Sequence, residues 1–154
     1  MKEQYRKQIT EMLTTAYWME IETITNYIAN SVNLDGVRAE EIKKSLAADV
    51  AEELTHAQNL ARRIKEVGGR VPGSMEFRPM QKSLQPPTES TDVVAVIKGV
   101  IEAEDAAIEH YGKLIDLCGE AHDYVTQDLC ITQLADEEGH RVTFAGFLKE
   151  YTKG

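Results

Sequence analysis

One spacing occurs twice in this chain and limits what it can become. Glu20 is followed by Tyr27, Glu53 and His56, and Glu104 is followed by Tyr111, Glu137 and His140. Both sets read Glu-x6-Tyr-x25-Glu-x2-His, so the second is the first displaced along the chain by one constant offset. Residues three apart share a helical face, so Glu53 with His56, and Glu137 with His140, can each grip one site. Carboxylates and imidazoles suit iron and manganese. Two matched sets supply four carboxylates and two histidines, which predicts a pair of metal ions between two related helical hairpins. The ions expected are two Fe per chain, with Mn open to the same ligands. Glu53 and Glu137 would bridge the pair, His56 and His140 would each terminate one ion, and Glu20 and Glu104 would chelate from the sides. A lone Glu-x-x-His is common on solvated acidic helices, but two of them, each preceded by a Glu at the same distance, are not.

Proline and glycine punctuation sets the architecture. Residues 4–33 hold no Gly or Pro and place Ile9, Leu13, Ala16, Ile24 and Ile28 at a helical rhythm. Asn33 to Gly36 reads as a turn and Gly68–Gly69 as the stop of a second helix over 38–67. All four prolines fall within residues 70–90, the one long connection. Ser90, Thr91 or Asp92 can cap a third helix over 91–118, Gly119 closes it, and a fourth helix covers 122–151. Short, long and short connections describe an all-α four-helix bundle with one crossover between helices two and three, the ferritin-like connectivity. Residues 1–154 then form one domain, since neither hairpin alone buries its apolar stripe. Both hairpins turn about halfway between their two glutamates, which puts those glutamates at one height on antiparallel helices.

The formal net charge of −9 disfavours nucleic acid, which needs clustered Lys and Arg, and suits a protein that attracts cations. Two cysteines, Cys118 and Cys130, argue against a disulfide-stapled secreted scaffold. Glu11, Glu20 and Glu22 interrupt the first apolar stretch, so it lacks the form of a signal peptide, and no run is long enough to cross a membrane. The sequence therefore predicts a cytoplasmic protein.

Neighbours of the proposed ligands need separate treatment. Glu52, Glu138, Glu22 and Glu102 lie one or two residues off the ligand positions, and about 100° of rotation per residue should point them elsewhere. Tyr27 and Tyr111 fall two turns beyond Glu20 and Glu104 on the inner face; they are core residues with satisfied hydroxyls, or redox partners of the metals. His110 and His122 have no Glu three residues before them and read as surface or helix-end histidines. Cys118 and Cys130 project toward the core at heights differing by roughly 10 Å, so they read as buried thiols without an intrachain disulfide.

With these motifs in place the chain resembles the bacterioferritins of the ferritin-like di-iron superfamily. The resemblance is carried by HDYVTQDLCITQLADEEGH at 122–140, by Glu20 and Tyr27, and by the equal steps from Glu20 to Glu53 and from Glu104 to Glu137. It implies a ferroxidase centre that oxidises Fe(II) with dioxygen or peroxide for iron storage or detoxification, in twofold dimers or larger homo-oligomers. Three features depart from that family's pattern. Leu54 stands where its axial methionine would bind haem, which argues against haem. The sequence stops at Gly154 without the short fifth helix of 24-subunit shells, and the crossover is longer than usual. Rubrerythrin-like peroxidases, which store no iron, are the rival; they resemble the chain in both Glu-x-x-His motifs but typically carry a further helix-three Glu, where Ala107 stands here. Cys118 and Cys130 also resemble the core cysteines of some dodecameric, archaeal-type mini-ferritins. A metal-free helical partner-binding bundle would leave the doubled motif unexplained.

Overall fold

The computed structural model describes residues 1–153; Gly154, where the sequence stops, lies outside the described residues. Four long helices make up the molecule: α1 (Glu3–Asn33), α2 (Glu40–Glu66), α3 (Val93–Ala121) and α4 (Tyr124–Tyr151). The first hairpin turns through Gly36, at φ 99°, into a single 3-10 turn at Val37–Ala39 before α2 begins. Asp92 caps α3 by accepting the amide of Ala95 at 3.1 Å, and Asp123 caps α4 by accepting that of Thr126 at 3.1 Å.

The expected stop at Gly119 is displaced. α3 runs through Gly119 to Ala121 and ends at His122, which adopts φ 58°. Two bonds make this a Schellman end: the Asp123 amide reaches the Cys118 carbonyl at 2.9 Å and the His122 amide reaches that of Gly119 at 3.2 Å. Gly119 serves packing instead, because a Cβ there would sit 3.0 Å from the Gln127 amide nitrogen of α4.

The inner faces form two apolar clusters with a polar layer between them. One holds Tyr27, Leu34, Ile42, Leu46, Val100 and Phe144; the other holds Ile9, Leu13, Leu60, Ile64, Leu114 and both cysteines. Ile28, expected on the inner stripe, is 49% exposed. After Glu20 the inner face of α1 is taken by Thr23, Asn26, Tyr27 and Asn30, which recur at helical spacing and turn Ile28 outward. Cys118 and Cys130 are free and buried, and burial pushes each thiol up to about 12.

The crossover, residues 67–92, returns the chain along the bundle, and its end meets the end of α1 where the Asp35 amide donates to the Ser90 carbonyl at 2.9 Å. It is anchored on α1. Glu22, one of the acids set aside as pointing away from the metals, accepts the amides of Met80 at 2.8 Å and Gln81 at 2.7 Å. Asn30 donates to the Leu84 carbonyl at 2.8 Å. Leu84 then plunges between α1 and α3 at φ 63°, and a Cβ on Gly99 would lie 2.9 Å from its backbone. Among the described residues no helix is long and apolar enough to cross a membrane.

Candidate metal centre

Each helix contributes one side of the polar layer: Glu20 from α1, Glu53 and His56 from α2, Glu104 from α3, Glu137 and His140 from α4. All six are buried, none more than 8% exposed. Their atoms fall into two overlapping quartets, Glu20–Glu53–His56–Glu137 and Glu53–Glu104–Glu137–His140, each with its ligand atoms within 4.8 Å of one another. Glu53 and Glu137 belong to both quartets. His56 Nδ1 lies 3.0 Å from Glu137 and 3.7 Å from both Glu20 and Glu53. His140 Nδ1 lies 3.2 Å from Glu53, 3.6 Å from Glu104 and 3.7 Å from Glu137.

Glu20 Oε2, Glu53 Oε1, Glu104 Oε2 and His140 Nδ1 are buried without a hydrogen-bond partner. Buried polar atoms of this kind are costly unless something satisfies them. Four orphaned donor atoms converging from four helices fit a pair of divalent cations. The electrostatics point the same way. Burial, then the charges of Glu137 and Glu53, hold the Glu20 carboxyl well above the usual range. Burial and a bond to Glu137 carry Glu104 to about 9. Burial also acts to raise Glu53 and Glu137, yet the neighbouring carboxyls and imidazoles outweigh it and hold both below the usual range. Burial acts to lower both imidazoles, but the surrounding carboxylates overcome it and hold them protonated. Protons thus occupy the place of cationic charge among four carboxylates.

The outer nitrogens of the histidines meet carboxylates from the opposite hairpin. His56 Nε2 lies 2.8 Å from Asp136, and His140 Nε2 lies 2.8 Å from Glu52 and 3.7 Å from Asp49. Such partners fix the tautomer that presents Nδ1 inward. Glu52 stays out of both quartets, as its rotation on α2 requires, but its carboxylate reaches across to α4, which rotation on one helix does not disclose. Glu52 and Asp136 precede Glu53 and Glu137 by one position each and so obey the same offset, which means that the repeat carried a signal for both. Asp49 is raised to about 6 by burial, which outweighs the pull of His140.

Tyr27 and Tyr111 reach the carboxylate cluster through the opposite hairpin, which their own helices do not disclose. The Tyr27 hydroxyl donates to Glu104 Oε1 at 2.8 Å and that of Tyr111 to Glu20 Oε1 at 2.8 Å. Gln133 Nε2 in turn donates to the Tyr111 oxygen at 2.9 Å. Glu102 and Glu138 face solvent, His110 bonds the Met12 carbonyl at 2.8 Å, and His122 is exposed. Leu54 lies 46% exposed on the outer face of α2.

This bundle and its doubled carboxylate–histidine cluster define a ferritin-like protein. The chain belongs to the ferritin-like domain family, whose model matches residues 10–153. It is bacterioferritin-like within that family. It is 28% identical over 139 residues to the bacterioferritin of Desulfovibrio desulfuricans, covering 90% of this chain and 73% of that one. It is 37% identical over 93 residues to the bacterial ferritin of Neisseria meningitidis serogroup B, covering 60% of this chain and 54% of the relative. The solved structure of the Desulfovibrio desulfuricans bacterioferritin, described with a diiron site, superposes with TM-score 0.80 at 25% identity, over 96% of this chain and 81% of that one. A dodecameric thioferritin, the bacterioferritin-related protein from Bacteroides fragilis, superposes with TM-score 0.84 at 22% identity, over 96% and 88%, and shares the fold.

Proposed function

We propose that this chain is a di-iron ferroxidase that takes up two Fe(II) ions and passes their electrons to dioxygen or hydrogen peroxide. The observation that carries this reading is the set of orphaned buried atoms on Glu20, Glu53, Glu104 and His140. Iron is both substrate and occupant of the centre. Glu53 and Glu137 would bridge, His56 and His140 would bind through Nδ1, and Glu20 and Glu104 would close the two ends. In the balance, each Fe(II) gives one electron; dioxygen takes two electrons and two protons and leaves as hydrogen peroxide. Peroxide as oxidant breaks its O–O bond with the two electrons and, with two protons, leaves as two waters.

The chain's own groups manage charge and protons. Asp136 and Glu52 hold the two imidazoles from outside, and Asp49 adds negative charge on the half-buried side of His140. Tyr27 and Tyr111 orient Glu104 and Glu20 through their hydroxyls, and either would give a further electron when the oxidant demands one. Ala107 lines the cluster where a rubrerythrin-like peroxidase would bring another carboxylate, so that rival has no support at this position. Leu54 offers no atom to haem iron. Storage or detoxification of iron in a homodimer or larger shell follows from the bacterioferritin likeness, and so does a place in the cytoplasm.

The test is anaerobic Fe(II) loading followed by stopped-flow mixing with oxygen, alongside size-exclusion with light scattering and metal analysis of each peak. About two irons per chain oxidised in a fast phase, lost in His56→Ala and His140→Ala with helical circular dichroism retained, is the expected result. Iron beyond that number held in a large shell means storage. Full occupancy and unaltered kinetics in both variants would remove these residues from the site.

A further inference from the structure

We propose that the oxidant reaches the centre through a narrow neck between α1, α3 and the crossover, apart from the acidic face that serves cations, and that Gln81 sets the width of that neck. The proposal rests on the ferroxidase reading for its biological sense, while the neck itself is a feature of the fold.

Directly against the ligand carboxylates of Glu20, Glu53, Glu104 and Glu137 lies a cavity of ≈ 10 Å³, closed by Met19, Thr23, Gln81, Ala103 and Ala107. That is room for about one water-sized probe. Outside it lies a groove of ≈ 530 Å³ that shares Met19, Gln81 and Ala103 with the cavity and continues along Trp18, Met80 and Ala106. The shared residues are therefore the neck. Its walls are the Met19 thioether, the small Ala103 side chain of α3 and the Gln81 stem. Neighbouring charges are largely engaged: Glu22 accepts two crossover amides, Glu76 pairs with Arg70, and Arg78 donates to the carbonyls of Met75 and Phe77. Glu102 and Lys82, of opposite sign, remain on the groove.

Gln81 is fixed at both ends of its amide. Nε2 donates to Thr23 Oγ1 at 3.0 Å, and Oε1 accepts from Asn26 at 2.7 Å. Its side chain thus lies along α1, and its amide oxygen is already engaged where a hydrated ion would need a free acceptor. A divalent cation would have to shed its water here with little in return, whereas a neutral molecule of two heavy atoms has no such desolvation cost. On α2 and α4 the situation is reversed. Glu52 and Asp136, partly exposed, and Asp49, more sheltered, stand around the outer nitrogens of His140 and His56, an electrostatic approach for Fe(II). The centre therefore has two chemically distinct sides: cations from α2/α4, a neutral oxidant from α1/α3.

The test uses the assembled protein and two variants, Ala103→Leu to plug the neck and Gln81→Ala to widen it, with circular dichroism and melting as controls of fold. Four readouts are compared: the anaerobic rate of Co(II) loading, kcat/KM for oxygen, the anaerobic association rate of nitric oxide with Fe(II)-loaded protein, and the rate with tert-butyl hydroperoxide relative to hydrogen peroxide. Nitric oxide is an uncharged diatomic of dioxygen's size, and its binding needs no turnover. Ala103→Leu should lower both the oxygen and nitric oxide rates about ten-fold while Co(II) loading stays unchanged, as for a path narrowed to one reactant only. Gln81→Ala should raise the rate with tert-butyl hydroperoxide relative to hydrogen peroxide about ten-fold, because a wider neck admits the branched oxidant. If Ala103→Leu does not fold, Gln81→Ala decides alone. Slower Co(II) loading with unchanged oxygen dependence would make the neck a cation entrance and overturn the proposal. An unchanged nitric oxide rate in Ala103→Leu, or an unchanged hydroperoxide ratio in Gln81→Ala, would overturn it as well. If the unmutated protein fails to oxidise iron but nitric oxide slows in Ala103→Leu, the ferroxidase reading falls and the neck stands.

Discussion

The hydroxyl of Tyr27 on α1 donates a 2.8 Å hydrogen bond to Glu104 on α3, a carboxylate supplied by the other hairpin. The same bond runs back from Tyr111 to Glu20, so each tyrosine orients the glutamate that heads its partner's set. The two are not equivalent, because Gln133 donates to the Tyr111 oxygen and nothing donates to that of Tyr27 among the bonds of the described residues.

Tyr27→Phe and Tyr111→Phe should each weaken metal binding about ten-fold, the usual cost of removing a partner that orients a ligand. Competition with a chromophoric chelator under anaerobic conditions measures this. If one tyrosine also supplies an electron, rapid-freeze EPR after oxygen mixing should show a transient tyrosyl signal that only one of the two variants abolishes. Wild-type affinity in both variants and no radical would leave the tyrosines as core residues.

Metal binding should release protons. The sign follows from the shifts: Glu104 is raised to about 9, Glu20 is raised, and both imidazoles are raised by the carboxylates around them, so the metal-free centre holds protons that a divalent cation must displace. Ligands must shed these protons, and affinity therefore rises with pH up to the point where the groups are already free. A net release of protons on binding a pair of Zn(II) or Co(II) ions is the expected result. Calorimetry in buffers of different ionisation enthalpy reads the number directly. A proton-neutral, pH-independent binding between about pH 6 and 8 would contradict the protonation pattern.

The repeat made much of this arrangement legible. The midpoint between Glu20 and Glu53, and that between Glu104 and Glu137, predicted where the hairpins turn, and the observed turns fall at Gly36 and at His122–Asp123. What stayed hidden depends on contacts between hairpins. Rotation on α2 turns Glu52 away from the ligand line, yet it reaches His140 on the other hairpin, as Asp136 reaches His56. The crossing tyrosine bonds likewise follow from α1 and α3 lying antiparallel, a relation fixed by the crossover rather than by either hairpin. Gly119 misled because a helix-interior glycine that makes room for Gln127 looks in sequence like a stop. The crossover gave no periodic signal, since its order comes from Glu22, Asn26 and Asn30 on α1.

Two glycines of α3 give opposite expectations for the same substitution. At Gly99 a Cβ would lie 2.9 Å from the Leu84 backbone, whereas at Gly112 nothing lies within 4 Å. Gly112→Ala should stabilise the protein by up to about 1 kcal/mol through helix propensity. Gly99→Ala must push the crossover off α3 and should cost about 1–3 kcal/mol, a fall of several degrees in melting temperature. Thermal melts of the two variants side by side check both, and a stabilised Gly99→Ala would mean that the crossover does not rest where Leu84 is placed.

Arg63, near the end of α2, ties the first hairpin to the turn of the second. Its Nη2 donates to Asp123 at 2.9 Å and its Nε to Thr126 at 2.8 Å, at the residue that caps α4 and the residue it caps. The pair is largely shielded, with side-chain exposures of 16% and 5%. Removing the guanidinium leaves a buried carboxylate that still caps the helix but has lost its cation. Arg63→Ala should therefore cost about 2–4 kcal/mol, more than a surface ion pair and in line with breaking a buried one. Arg63→Lys, which keeps the charge but cannot serve both Nε and Nη2 contacts, should recover only part of that loss. Chemical denaturation of the metal-free protein isolates the effect from metal binding. Equal stability of Arg63→Ala and the unmutated protein would show that α2 and the α3–α4 turn are held together by packing alone.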